Sequence, residues 1–216
     1  IVDFTYKMKA YMDMHQISDV RIHSALGMGN IIDHIKGVSK KYNPDVIVLG
    51  TTGKREDSRS VLAGLTNSII SGLNVPVYAI PGACSPEDFQ KLRILYATDF
   101  NERDHNSLER LLHIVKPFDK QVTCIHIDTE HNPAKIERME ELNTQLKQEY
   151  AEHDIQCQLI EDEDMFHGIK DFAFRNQVNL LSFTVHKRRI FEKLFKPNFF
   201  KKILQESNLP ILLFPS

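Results

Sequence analysis

Apolar positions along this chain fall into two kinds of run. Leu92–Thr98 (LRILYAT), Val122–Ile127 (VTCIHI), Ile155–Ile160, Val178–Thr184 and Ile211–Phe214 are short and almost continuously apolar. Between them the apolar residues recur at helical spacing, as Leu108, Leu111, Leu112 and Val115 do within Asp104–Lys116. Pro133–His153, Met165–Asn176 and Asn198–Glu206 read as further helices, with Pro133 suited to a first turn. Strands that alternate with helices predict an α/β fold, a doubly wound parallel sheet of five strands. Little polar alternation within the strands predicts burial on both faces.

The chain also matches itself at an offset of 134 residues. Leu73-Asn74-Val75-Pro76-Val77-Tyr78-Ala79-Ile80-Pro81 lines up with Ser207-Asn208-Leu209-Pro210-Ile211-Leu212-Leu213-Phe214-Pro215. Ile35-Lys36 falls on Ile169-Lys170, and Ile69-Ile70 on Ile203-Leu204. The expected organisation is therefore two repeated units: residues 1–83, a linker at 84–91, and residues 92–216. The first unit is expected to be truncated, entered midway with its first strand, first helix and second strand lying before residue 1. Residues 1–16 would be its long second helix.

Composition changes this picture little. At roughly 100–150 residues per domain, 216 residues allow one large domain or two small ones. A formal charge of −2 gives no general attraction to nucleic acid. No apolar run approaches the roughly 20 residues of a membrane helix. Cys84, Cys124 and Cys157 are odd in number and never spaced C-x-x-C, which argues for reduced thiols in a cytoplasmic protein. No nucleophile–base motif is visible, so no enzyme activity is expected.

Glycine is more informative, because eight of the nine lie in the first 82 residues. Val46-Ile47-Val48-Leu49-Gly50-Thr51-Thr52-Gly53 ends a strand, and ten residues separate Gly53 from Gly64. Gly64-Leu65-Thr66-Asn67 then opens a helix, with Lys54, Arg55 and Arg59 between. Glycines at the carboxyl edge of a parallel strand let backbone amides approach an anion, and a helix start adds free N–H groups. The candidate phosphate loop is thus Gly50, Gly53, Gly64 and Thr66, although such glycines also serve plain strand-to-helix turns. At the repeat offset Gly50 becomes Thr184, Gly53 becomes Lys187 and Gly64 becomes Asn198, so the second unit is expected to lack the loop.

Three stretches resemble the universal stress protein family in its tandem, two-unit form. They are Leu95–Phe100 (LYATDF), Val46–Gly53 (VIVLGTTG) and Asn74–Pro81 (NVPVYAIP). The resemblance implies an adenine nucleotide alpha hydrolase-like fold and a stress-response protein that holds ATP with magnesium or acts as a nucleotide-free partner. Against the family pattern Gly-x2-Gly-x9-Gly-Ser/Thr, Gly50 and Gly53 fit. Gly64 comes one residue late, and Leu65 stands where the hydroxyl residue belongs, with Thr66 next. By the same resemblance Asp99 marks where adenosine sits in the second unit. The family also implies association through the last strands, either between chains or as an internal pseudo-dimer.

Plainer readings stand beside these. Asp99 could cap the following helix, His126 could be a satisfied core histidine, and Cys124 and Cys157 could simply pack. Glu161–Asp164 reads as a solvated loop, with Asp164 placed to favour the next helix dipole. The basic stretch Lys187–Lys202, interleaved with Phe191, Phe195, Phe199 and Phe200, reads as solvated charge around core aromatics or as an anion-binding face. A nucleotide-binding regulator, a nucleotide-free interaction module and a slow ATPase remain open as functions.

Overall fold

The computed structural model describes residues 2–50, 72–82, 84–185, 199–206 and 209–216. Gly53, Gly64, Thr66 and the cations Lys187–Lys196 lie outside them. In chain order come α1 (Val2–Met14), α2 (Ile31–Tyr42), β1 (Ile47–Gly50) and β2 (Val77–Ile80). A 3-10 turn at Pro86–Phe89 leads into β3 (Lys91–Ala97), α3 (Glu102–Ile114), β4 (Asp119–Asp128), α4 (Ala134–Glu149) and β5 (Ile155–Glu161). The chain closes with α5 (Met165–Arg175), β6 (Leu180–Val185), α6 (Phe199–Glu206) and β7 (Ile211–Pro215).

The expected parallel α/β architecture is present, but the described residues form a sheet of seven strands, in the order β1-β2-β7-β6-β3-β4-β5. Residues 91–215 supply the five parallel strands that the sequence predicts. The other two, β1 and β2, are parallel to each other and join the sheet through an antiparallel pairing of β2 with β7. That register sets Val77 opposite Leu213, Tyr78 opposite Leu212 and Ala79 opposite Ile211. β7, which the pattern leaves at an edge, is therefore an interior strand. All five of its residues are buried, as are all six of β6, which is why neither strand alternates.

Helices cover both faces. Leu92, Ile94 and Tyr96 of β3 meet Leu108, Leu111 and Leu112 of α3 on one side. Leu95 of the same strand faces the opposite core, with Ile169, Phe172 and Ile203. Val77, Ala79 and Leu73 belong to that second core too, so the antiparallel junction is packed as well as hydrogen-bonded. Asn101 caps α3 by accepting from the Arg103 N–H at 3.0 Å. Asp164 does the same for α5 through the His167 N–H at 2.9 Å. Asn43, at φ 44°, ends α2 in the left-handed conformation, its N–H returning to the Ser39 carbonyl.

Two features of residues 2–50 differ from the rest. The helix expected at 1–16 forms as α1, yet Phe4, Tyr6 and Met14 stay about 70% exposed (68, 73 and 73%). Residues 21–26, which the repeat offset equates with β5, carry no strand pairing. β5 is held by β4 through seven paired positions; residues 21–26 have no such neighbour among the described residues. Within α6, Phe199 lies edge-on against Phe183 with ring centroids 6.0 Å apart, while Lys202 Nζ stands 4.0 Å from the Phe166 ring.

Leu213→Ala, which opens a void where β7 meets β2, should cost about 2–5 kcal/mol in urea unfolding. Amide exchange at residues 77–80 should accelerate in the same variant. Unchanged exchange there would mean that β2 holds its place without the β7 side chains.

Candidate functional site

Where β3 ends, the chain turns through Thr98, Asp99 and Phe100 into α3, and this turn gathers polar groups at the carboxyl edge of the sheet. Thr98 is anchored by its N–H to the Ile125 carbonyl of β4 at 2.9 Å. Its hydroxyl donates to Asp104 Oδ2 at 2.7 Å and accepts the Phe100 N–H at 3.0 Å. The Asp99 N–H donates to the same Asp104 oxygen at 3.0 Å, and Asp99 Oδ1 accepts the Asn101 N–H at 3.1 Å. Asp99 thus closes the turn ahead of the helix, and the cap itself is Asn101.

Asp104 is buried, 6% exposed, in the first turn of α3. Burial, and then the neighbouring Asp99 charge, raise its carboxyl to about 6, against two favourable bonds from the Thr98 and Thr184 hydroxyls. The Asp99 and Asp104 carboxyls are themselves bonded to each other. Below this pair, the Tyr96 hydroxyl donates to the Asp104 carbonyl at 2.9 Å and lies 2.7 Å from Thr184 Oγ1. Thr184 is therefore a buried partner in a network that spans β3, β6 and α3.

On the β4 side His126 is 6% exposed. Burial lowers its pKa, which keeps the ring neutral; Nδ1 donates to the Thr98 carbonyl at 2.8 Å. Nε2 is then a bare acceptor and has no partner among the described residues. Phe100, at φ 62°, lays its ring against His126 with centroids 4.5 Å apart. The Arg138 guanidinium stands 5.2 Å over Phe100 in turn, and Nη2 donates to the Phe100 carbonyl at 3.4 Å. Two residues along β4, Asp128 accepts from the N–H groups of Glu130 and Asn132 and from Lys135 Nζ at 2.8 Å. Burial opposes its charge, yet Lys135 and the two N–H groups outweigh that and hold the carboxyl down at about 2.

Of the residues singled out in the sequence, the structure brings Asp99 and Thr184 to one network. Gly50 lies far along the sheet order, at the end of terminal strand β1. It is exposed, and no described atom comes within 4 Å of the point where its Cβ would be. Gly53, Gly64 and Thr66 fall outside the described residues. His126 is a core histidine on one nitrogen only. The sequence reading missed Asp104, Phe100 and Arg138. A second aspartate five residues after Asp99, in the first turn of a helix, was the available signal for Asp104. Phe100 and Arg138 are 38 residues apart and left none.

Comparison with known proteins follows the fold. The sequence model of the universal stress protein family matches residues 92–215. No curated protein matches the sequence. Among solved structures, a universal stress protein from Archaeoglobus fulgidus DSM 4304 is similar, with a TM-score of 0.67 at 14% identity, over 99% of this chain and 79% of that one. A functionally unknown protein from Pseudomonas aeruginosa PAO1 gives 0.64 at 14% identity, over 98% of this chain and 77% of that one. At such identities the likeness is one of fold.

The raised Asp104 carboxyl sets a sign. Between the ordinary aspartate range, near pH 4, and about pH 6, the folded chain holds this proton and the unfolded chain does not. Its contribution to stability is therefore full at low pH and is lost as pH rises towards about 6. Asp104→Asn removes the titration, so the stability of the variant minus that of the wild type should climb between about pH 4 and about pH 6. A climb on the order of 1–3 kcal/mol is expected in urea unfolding. A difference that stays flat with pH would show Asp104 titrating as a solvated carboxyl.

Proposed function

Since this chain belongs to the universal stress protein family, we propose that it is a cytoplasmic stress-response protein of two paired units, with ATP and its magnesium held by the first unit alone. The observation that carries this reading is the contrast between Gly50 and Thr184, which stand at equivalent positions of the repeat. At Gly50, at the carboxyl end of β1, no described atom comes within 4 Å of where a Cβ would stand, which gives a phosphate room to approach the backbone among the described residues. Thr184 carries a buried hydroxyl bonded to Tyr96, so the same position in residues 92–215 presents no free backbone to a ligand. Gly53, Gly64 and Thr66 would complete the phosphate contacts through backbone amides and one hydroxyl.

In the second unit the polar groups that would meet an adenine nucleotide are already engaged within the protein. Asp99, which the family resemblance assigns to adenosine, spends its carboxyl on Asn101 and Asp104, and Phe100 covers His126 beside it. The second unit then serves as a fold-preserving partner of the first.

The pairing of the units finds support in the β2–β7 register. Tyr78 and Leu212 are equivalent in the repeat and lie opposite each other, while Val77 and Ala79 face the equivalents of one another. An antiparallel pairing of that kind is a two-fold arrangement about the Tyr78–Leu212 position, an isologous contact within one chain.

Calorimetric titration of Mg-ATP into the full-length protein should give one site per chain, abolished by Gly53→Val and kept in Asp99→Asn. Binding lost in Asp99→Asn and kept in Gly53→Val would move the site to the second unit. Heat in neither variant nor wild type would leave the second reading, a nucleotide-free interaction module, which the commitment of the Asp99 carboxyl to Asn101 and Asp104 favours for residues 92–215.

A further inference from the structure

We propose that Cys124 and Cys157 form a reversible dithiol site for low-molecular-weight disulfides, Cys157 attacking first and Cys124 closing a disulfide within the protein. The two stand directly opposite each other on neighbouring parallel strands, Cys124 of β4 against Cys157 of β5. Both belong to the core under α3 and α4, and both are free thiols. Opposed residues on adjacent strands are about 4.8 Å apart, inside the 4.4–6.8 Å range of Cα separations that a disulfide tolerates. The bond would close between residues that the strand register already holds opposite each other.

The two sulfurs have different roles because their surroundings differ. Cys124 is 1% exposed, whereas Cys157 is half-buried on the outermost strand and can be reached. The neighbouring Cys124 thiol lowers the pKa of Cys157, while Cys157 and burial raise that of Cys124; Lys147 adds a nearby positive charge on the Cys157 side. A thiolate is the attacking species in thiol–disulfide exchange. Cys124 also lines a cavity of about 390 Å³ between α3 and α4, which reaches from Leu142 and Leu146 to Phe100, Asp104 and Arg138 of the site described above.

The chemistry balances without a metal or cofactor. The Cys157 thiolate attacks one sulfur of RSSR; the S–S bond breaks, RS⁻ leaves, and Cys157 carries a mixed disulfide. Cys124 passes its proton to the departed thiolate and attacks Cys157 Sγ, expelling the second RS⁻, which takes up the proton that Cys157 had released. The protein loses two electrons and two protons, and RSSR becomes two RSH. Excess RSH runs the sequence backwards.

The reduced full-length protein is incubated with oxidised glutathione, quenched with acid and N-ethylmaleimide, digested with trypsin and read by mass spectrometry. The expected product is peptide 121–135 linked to peptide 148–170, released by dithiothreitol. Cys124→Ala should stop at glutathione on Cys157, and Cys157→Ser should leave Cys124 unmodified. Cys84, half-buried and remote from the pair, reports that the oxidant acted. Absence of the linked peptide while Cys84 is glutathionylated would overturn the proposal. So would modification of Cys124 in Cys157→Ser at the wild-type extent. The wild-type and Cys157→Ser results decide the matter even where Cys124→Ala does not fold.

Discussion

The antiparallel contact between β2 and β7 is the constraint on which the rest of this structure depends. A strand in a doubly wound sheet needs partners on both edges if it is apolar on both faces, since buried N–H and C=O groups must be hydrogen-bonded. β7 is such a strand, with every residue buried. β6 satisfies one edge and β2 the other. With that second edge closed, Val77 and Ala79 join the same core as Leu95, Ile211 and Leu213, and residues on both sides of the junction share one hydrophobic cluster. Among the described residues, β1 and β5 stand at the two ends of the sheet.

The carboxyl edge shows what a parallel sheet offers and how side chains can use it up. Turn residues at that edge ordinarily leave a crevice lined by strand ends and helix starts. Here Asp104 reaches back from α3 to bind the Thr98 hydroxyl and the Asp99 N–H, and Tyr96 ties the same helix turn to Thr184 on β6. Phe100, in a left-handed conformation, lies between His126 and Arg138. The network pulls the start of α3 onto β3, β4 and β6 by protein–protein contacts. It does so at an electrostatic cost, because a buried Asp104 carboxyl sits beside the half-buried Asp99, and below about pH 6 the proton held by Asp104 relieves it.

Register decides the relation between the two strand cysteines. Each is the third residue of its apolar run, Val122-Thr123-Cys124 and Ile155-Gln156-Cys157. With Val122 opposite Ile155, the sulfurs meet on one face; a slip of one residue would send them to opposite faces. Ile155 and Val122 are both deeply buried, so the hydrophobic pattern that fixes the register is the same one that opposes the thiols.

By itself, the sequence determined the strand–helix alternation and the parallel α/β class, because burial on both faces and the 3.6-residue spacing are local signals that tertiary contacts only reinforce. It also determined the helix at the start of the chain and placed Asp164 ahead of α5, where the structure makes it the cap. Tertiary structure decided what distance along the chain conceals. The join of β2 to β7 involves residues 134 apart at its centre, and the same apolar run would serve as an edge or an interior strand. Asp99 was visible as a candidate, but its commitment to Asn101 and Asp104 depends on where α3 begins relative to β3. Thr184 was read as a lost glycine, and only the fold made it a buried partner of Tyr96. Side-chain chemistry is written in the sequence, whereas the partner that spends it is chosen by how strands and helices are laid side by side.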